Sequence, residues 1–317
     1  MDIDCLDFNQ FACSLQKARD YAVKYKYKCC CSDCDKEAIK SHLLQQHPIL
    51  ESIADANHKV LQFEDNWENA RSGRWDLYSK QRRGIGDALQ YRLFCKKHDS
   101  DLFKGLERNN SIPSSKRDCL LLAYRAACSV RHQEERRMRC YEYKMQCNPN
   151  EINDAWLSNS KVFVRRMDAV IENLQSALDG EDESYLFRII SMPYIPVAAS
   201  DCIVDEKDYQ AHIMDDEYSK PLNCYFVNLI PNNDRLLLLL GCDTRYDKNG
   251  EYESIISEFP ANCDLPYQHF VETLWGILLK CHNWCCSPTL AEDPLWKKFF
   301  ENYEALNASI RPEEAEI

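Results

Sequence analysis

The sequence has no long hydrophobic run. Its longest strongly apolar stretch covers residues 236–240, whereas a helix that crosses a bilayer needs about 20 apolar residues. The N-terminal stretch up to Asp20 contains four aspartates and neither a basic leader nor an apolar core run, so we expect no signal peptide. These absences predict a cytoplasmic protein without a membrane partner.

Two common active-site signatures are also missing. The sequence has no glycine-rich loop that would cradle a phosphate, and no Gly-x-Ser-x-Gly turn that would present a nucleophilic serine. It has neither an internal repeat nor a low-complexity tract. A chain of this length without repeats is expected to form one large globular domain or two ordinary ones.

Acidic charge is concentrated in the second half of the chain. The formal net charge is −12, but residues 1–178 carry 29 Lys and Arg against 25 Asp and Glu, whereas residues 179–317 carry 10 against 26. An acidic region repels phosphate backbones and is suited to a basic protein partner. We therefore expect DNA, if it binds, to contact the N-terminal half. We expect a protein partner to contact the acidic C-terminal region or the long charged helix that precedes it.

Cysteine is abundant, with 18 residues in the chain. Disulfide scaffolds reach such numbers in short secreted proteins, and this sequence is neither short nor predicted to be secreted. We therefore expect reduced thiols, for which metal binding is the notable use.

Two cysteine and histidine pairs have the spacing of zinc knuckles. They are Cys31-x2-Cys34 and Cys95-x2-His98, and the second pair lies at a predicted strand-to-helix junction. Zinc favours tetrahedral sets of thiolate and imidazole ligands that come from two short knuckles. The sequence therefore predicts one structural Zn²⁺ on these four residues, in a treble-clef arrangement. Cys29 and Cys30 are alternative ligands in the first knuckle.

A second cysteine cluster lies near the C-terminus, where a helix is predicted over residues 269–285. Cys281 and Cys285 would lie one helical turn apart and could share a metal. No second knuckle accompanies them, and small buried thiols that pack a helix explain the pattern equally well.

Further polar residues accompany the knuckles in a characteristic order. His42 follows Cys34 after seven residues, Asn57 precedes a short strand predicted from residue 58, and Asp99 directly follows His98. This order resembles the zinc-bound HNH endonucleases, a treble-clef family, over residues 29–107. The resemblance implies that His42 is the general base, that Asp99 helps to hold a catalytic Mg²⁺ or Mn²⁺, and that Asn57 supports the loop.

The same stretch also resembles a group of uncharacterised bacterial zinc proteins that is loosely associated with antiviral defence. The residues that carry this likeness are Ser41 and His42 after the first knuckle, residues 94–99 around the second, and then Phe103 and Glu107. The HNH family, by contrast, usually has an acidic residue at the position of Ser41.

The same residues also have structural interpretations. His42 could be a hydrogen-bonded structural histidine, and Asp99 could stabilise the start of a helix through the helix dipole. The predicted loop over residues 64–86 is rich in arginine and tryptophan. It could clamp a phosphate backbone or form a solvated insertion, and the residues concerned are Arg71, Arg74, Trp75, Arg82 and Arg83.

Apolar periodicity predicts the remaining elements. Helices are predicted over residues 8–25, 117–146, 153–178 and 295–306, and Ser41 is predicted to cap a short helix. Strands are predicted over residues 88–94, 185–190, 195–204, 224–230 and 235–241.

The sequence as a whole predicts an α+β fold. It consists of an N-terminal treble-clef zinc unit with long helices, followed by a C-terminal region of antiparallel sheet and helices. We expect a zinc-binding HNH-like unit over residues 1–110, a long helical segment over 111–180 and an acidic α+β domain over 181–317. The leading functional hypothesis is a metal-dependent, HNH-like nuclease or nuclease-derived subunit, and the alternative is a non-catalytic, zinc-stabilised protein that binds a larger partner.

Overall fold

The computed structural model describes residues 5–65, 78–108, 112–147, 149–180, 182–205, 220–247, 250, 252, 254 and 267–309. The fold is α+β, as predicted, with an N-terminal cysteine cluster, two long central helices and a sheet-rich C-terminal region that ends in a helix. The described helices are α1 (Cys5–Lys24), α2 (Glu51–Ile53), α3 (Lys96–Arg108), α4 (Lys116–Cys147), α5 (Glu151–Asp179), α6 (Tyr267–Leu278) and α7 (Pro294–Ser309).

Nine strands are described, and all of their pairings are antiparallel. They are β1 (Ile39–His42), β2 (Lys59–Asp65), β3 (Tyr78–Gly84), β4 (Gln90–Phe94), β5 (Tyr185–Pro193), β6 (Val197–Val204), β7 (Cys224–Asn232), β8 (Arg235–Asp243) and β9 (Trp284–Cys286). Strands β1 and β4 form a two-stranded sheet, and the other seven form one sheet in the order β3-β2-β9-β6-β7-β8-β5.

The short strand β9 connects the N-terminal and C-terminal parts of the chain within one sheet. It pairs with β2 from the N-terminal part and with β6 from the C-terminal part. Strands from residues 1–110 and from residues 181–317 therefore share one sheet. The domain boundaries expected at residues 110 and 180 stay a prediction.

The large sheet separates two hydrophobic clusters, because successive side chains of a strand point to opposite faces. On one face, Ala198, Cys202 and Phe226 pack with the central helices and the cysteine-rich N-terminal unit. On the other face, Val197, Ala199 and Val227 pack with α6, α7 and their aromatic side chains. The cysteine-rich N-terminal unit thus belongs to the same core as the central helices.

Helices α4 and α5 form an antiparallel pair that polar contacts join at one end and near the middle. Arg117 donates a hydrogen bond to the carbonyl oxygen of Leu178, and the hydroxyl of Ser160 donates to Glu134 at 2.6 Å. Asn150 caps α5 by accepting a hydrogen bond from the backbone N–H of Asn153. The predictions of these two helices are confirmed to within two residues at each end.

Three local predictions are wrong. Ser41 lies in β1 rather than capping a helix, and the predicted loop over residues 64–86 contains β3. The predicted helix over residues 269–285 ends at Leu278, and Cys285 lies in β9. Strand β9 is fixed by pairing with β2 and β6, which are distant in sequence, and β3 is fixed by pairing with the preceding strand β2. Periodicity within one segment does not reveal such pairings.

Candidate metal centre

Cys29, Cys34, Cys95 and His98 come together at the N-terminal end of α3. Their ligand atoms all lie within 4.8 Å of one another. Sγ of Cys29 lies 3.3 Å from Nδ1 of His98, and Sγ of Cys34 lies 3.9 Å from Sγ of Cys95. Ligands of a tetrahedral zinc ion lie about 3.8 Å apart for bonds of about 2.3 Å. This Cys3His cluster could hold a metal ion, and its composition and spacing fit structural zinc.

Backbone hydrogen bonds shape the first knuckle. The N–H of Cys29 donates to the carbonyl oxygen of Lys36, and the N–H of Cys30 donates to that of Leu93 in β4. Between Cys29 and Lys36 the chain reverses at Asp33. The φ of Asp33 is 59°, in the left-handed region that aspartate tolerates. The turn brings Cys34 back toward Cys29 and holds both beside β4.

The second pair of ligands lies where β4 runs into α3. The N–H of Asp99 donates to the carbonyl oxygen of Cys95, so Cys95 immediately precedes the first helical turn and His98 lies within it. A strand that runs directly into a helix therefore presents both side chains to one point. This is the strand-to-helix junction that the sequence predicted.

The cluster contains Cys29 where the sequence spacing favoured Cys31. Sγ of Cys31 lies 3.7 Å from the hydroxyl of Tyr124, a residue of α4, and is outside the four-residue cluster. The knuckle is therefore Cys29-x4-Cys34 in the structure. Because residues 29–31 are all cysteines, spacing alone did not distinguish these two ligand sets.

The two-stranded sheet places His42 and Asp99 on the same structural unit. His42 is the last residue of β1 and pairs with Gln90 at the start of β4, which leads into α3. Asp99 lies in the first turn of that helix. Two of the three residues that the HNH resemblance assigns to catalysis are thus connected through one strand–strand–helix unit.

The imidazole of His42 is half-buried, and its surroundings favour the neutral form. Burial is the main cause that lowers its pKa below the usual 6.5, and the positive charge of Arg125 acts in the same direction. The carbonyl groups of Ile85 and Gly86 and the carboxylate of Asp99 oppose this shift. Among the described residues, its buried Nε2 has no hydrogen-bond partner. A neutral imidazole can accept a proton, but Nε2 of His42 is closed to solvent in this structure.

Arg125 of α4 is a buried cation beside this unit. Its guanidinium lies 3.6 Å from the ring centroid of Phe103 and donates to Glu107 at 3.0 Å, both residues of α3. It also donates to the carbonyl oxygen of Leu43, directly after His42, at 3.5 Å. Arg125 therefore joins the end of β1 to the second half of α3, while the cysteine cluster lies at the start of α3.

The structure gives less support to a catalytic role for Asn57 and to a phosphate-binding role for the arginine-rich segment. Asn57 is exposed in the turn before β2, where its N–H donates to the Asp55 carboxylate at 2.9 Å. Arg71, Arg74 and Trp75 lie outside the described residues. Arg82 lies in β3, 3.6 Å from Asp55. No contact in the described part of the chain joins Asn57 to His42 or Asp99.

Arg125 and a histidine pair around Glu51 were not predicted from the sequence. A charged residue within the apolar start of α4, between Ala123 and Ala126, was a signal for a buried ion pair. His47 and His58 both contact the Glu51 carboxylate. Histidines 11 residues apart carry no periodic signal, so only the fold brings them together.

Comparison with models of protein families gives no match, and comparison with curated proteins and with solved structures gives none either. Within the described ranges, no helix combines the length and the apolar character that crossing a membrane requires.

Proposed function

We propose that the chain is a zinc-stabilised nuclease of the HNH kind that hydrolyses phosphodiester bonds. The observation that carries this proposal is the strand–strand–helix unit of β1, β4 and α3. It connects His42, whose pKa is lowered and whose Nε2 has no hydrogen-bond partner among the described residues, to Asp99 next to a Cys3His cluster. In this reading the zinc ion has a structural role and His42 accepts the proton of the attacking water. The association with antiviral defence is an expectation from the same resemblance.

The resemblance also implies a catalytic Mg²⁺ or Mn²⁺. Such an ion often takes one or two protein carboxylates together with water and substrate phosphate oxygens. Asp99 is half-exposed and offers one carboxylate, which is the smallest number of protein carboxylates that such an ion takes. When bound, the ion would supply Lewis-acid stabilisation of the charge on the phosphate. DNA is the expected substrate, and it would approach the N-terminal half.

A second candidate function is that of a non-catalytic, zinc-stabilised protein that binds a larger partner. The observation that favours it is Arg125, whose buried positive charge lies close enough to affect His42 and opposes a divalent cation next to Asp99. The only group of three or more metal-binding side chains in the described part of the chain is the Cys3His cluster. In this reading the acidic C-terminal half would contact a basic partner.

Cutting assays separate the two functions. Purified wild-type protein, His42→Ala and the control His269→Ala, an exposed histidine on α6, are incubated with plasmid DNA and with RNA. Each assay is run with Mg²⁺, with Mn²⁺ and with EDTA. The nuclease proposal predicts metal-dependent cutting that His42→Ala abolishes and His269→Ala retains, at equal zinc content.

Either of two results would overturn the nuclease proposal. The first is wild-type cutting by His42→Ala, and the second is no cutting by a folded, zinc-loaded wild-type protein. The scaffold function predicts the second result, together with stoichiometric co-purification of a protein partner.

A further inference from the structure

A carboxylate flanked by two imidazoles lies on the surface of the N-terminal unit. Nδ1 of His58 lies 2.7 Å from Oε1 of Glu51, and Nδ1 of His47 lies 3.2 Å from Oε2 of the same carboxylate. Both histidine side chains are about two-thirds exposed, at 68% for His58 and 67% for His47. This cluster is outside the catalytic set that the HNH resemblance implies.

His58 is the better oriented of the two imidazoles. Its contact with Glu51 is the shorter one, whereas Oε2 of Glu51, on the His47 side, makes no hydrogen bond within the described residues. With Nδ1 held against the carboxylate, Nε2 on the far side of the ring is directed away from it. A histidine oriented by a carboxylate, with its other nitrogen free, is the arrangement of a proton-transfer group.

The backbone at His58 is held in an uncommon conformation. Its φ is 53°, in the left-handed region. Its N–H donates to the carbonyl oxygen of Asp55, and its own carbonyl oxygen accepts from the N–H of Ile85. The Asp55 carboxylate accepts in addition from the N–H groups of Asn57 and Lys59. Strained conformations of this kind persist where the surroundings fix them, and they are frequent at functional sites.

The turn at Ile85 and Gly86 connects His58 with His42. The backbone of Ile85 bonds to His58, and the carbonyl groups of Ile85 and Gly86 lie close enough to His42 to raise its pKa. A Cβ added at Gly86 would meet no atom of the described residues within 4 Å, so they leave the surface at this turn open. Arg82 and Lys59, on adjoining strands, supply positive charge for a phosphate backbone.

We propose that His58, oriented by Glu51, is the general acid of phosphodiester hydrolysis at this surface, an inference that rests on the proposed nuclease function. Water that reaches the buried Nε2 of His42 gives this nitrogen one proton, while the water oxygen forms a new bond to phosphorus. The bond between phosphorus and the leaving oxygen breaks, and that oxygen keeps the electron pair and takes the proton from Nε2 of His58. The products are a phosphate monoester and an alcohol, and bulk water restores both histidines.

The test uses two substrates that differ in their need for a general acid. DNA has a poor alkoxide leaving group that requires a proton, whereas a nucleoside p-nitrophenyl phosphate diester has a leaving group that departs without one. The variants are His58→Asn, Glu51→Gln and the matched control His47→Asn. Asparagine at position 58 tolerates the positive φ, so this variant is expected to fold.

We expect His58→Asn to lower kcat on DNA by at least about 100-fold and to leave the p-nitrophenyl ester rate within about twofold of wild type. Glu51→Gln should give a smaller loss on DNA alone, and His47→Asn should match wild type on both substrates. Wild-type rates for His58→Asn on DNA would overturn the proposal, and so would equal losses on both substrates. A wild-type protein that is inactive on both substrates would instead overturn the nuclease function on which the proposal rests.

Discussion

Nδ2 of Asn283 donates a hydrogen bond to Oδ1 of Asp201 at 3.1 Å, in the interior between the large sheet and α4. Oδ1 of Asn283 accepts from Tyr91 in β4 at 2.6 Å and from Gln133 in α4 at 2.8 Å. A single fully buried amide thus connects the two-stranded sheet, the long central helix and the large sheet. Asp201, which is also buried, accepts backbone N–H groups and this amide.

Substitution Asn283→Ala should destabilise the whole protein. It removes one hydrogen bond from each of Tyr91, Gln133 and Asp201 at once, and each such bond contributes about 0.5–1.5 kcal/mol. We therefore expect the free energy of unfolding to fall by about 2–4 kcal/mol in urea denaturation. The control Gln268→Ala removes an exposed hydrogen bond to Glu272 and should stay within about 0.5 kcal/mol of wild type. Equal stabilities of the two variants would show that the network contributes nothing.

Gly241 of β8 leaves room for the ring of Phe187 on the neighbouring strand β5. A Cβ at this position would lie 2.3 Å from two ring carbons of Phe187. Gly241→Ala should therefore lower the free energy of unfolding by about 1–3 kcal/mol. Gly276→Ala in α6 meets nothing within 4 Å and should instead raise it, by up to about 1 kcal/mol, because alanine favours a helix.

A second substitution checks the cause of the Gly241 effect. Phe187→Ala removes the ring, so the double variant Gly241→Ala/Phe187→Ala should be more stable than the sum of the two single effects predicts. Additive effects would contradict the steric explanation.

Stability should fall in acid because of His132. Burial, followed by the charges of Arg136, Arg131 and Arg92, lowers its pKa to about 3, whereas the unfolded residue titrates near about 6.5. Between these values the unfolded chain binds a proton that the folded chain does not. The free energy of unfolding therefore decreases as the pH falls through this window, by up to about 1.4 kcal/mol per pH unit from this residue.

The measurement is urea denaturation at several pH values from 7 to 4. His132→Gln should show a shallower pH dependence than wild type, whatever its absolute stability. The exposed control His269→Gln should keep the wild-type slope. An unchanged slope in His132→Gln would mean that the buried imidazole is not responsible.

The sequence predicts elements well where stability comes from local patterning. Helices α4 and α5 have continuous apolar stripes, and the hairpin of β7 and β8 has buried strands on either side of its Asn233–Asp234 turn. Strand β3 contains Lys80, Arg82 and Arg83, and it lacks such a pattern. It exists because all seven of its residues pair with β2.

The sequence predicts the kind of metal centre, a set of cysteine and histidine ligands, but it specifies only three of the four residues. Cys34, Cys95 and His98 follow from knuckle spacing and from a strand that runs into a helix. The choice between Cys29 and Cys31 depends on the turn at Asp33 and on Tyr124 of the distant helix α4. Arg125, likewise, acts across the interface between α3 and α4. Contacts of this kind between segments far apart in sequence leave no local signal.

The central claim is that Cys29, Cys34, Cys95 and His98 form one zinc site, and zinc content after dialysis against a chelator tests it most directly. We expect one zinc ion per chain in wild type and in Cys31→Ser, and loss of zinc in Cys29→Ser and Cys95→Ser. Loss of zinc in Cys31→Ser with full retention in Cys29→Ser would contradict the ligand set. A folded wild-type protein without zinc would contradict the site itself.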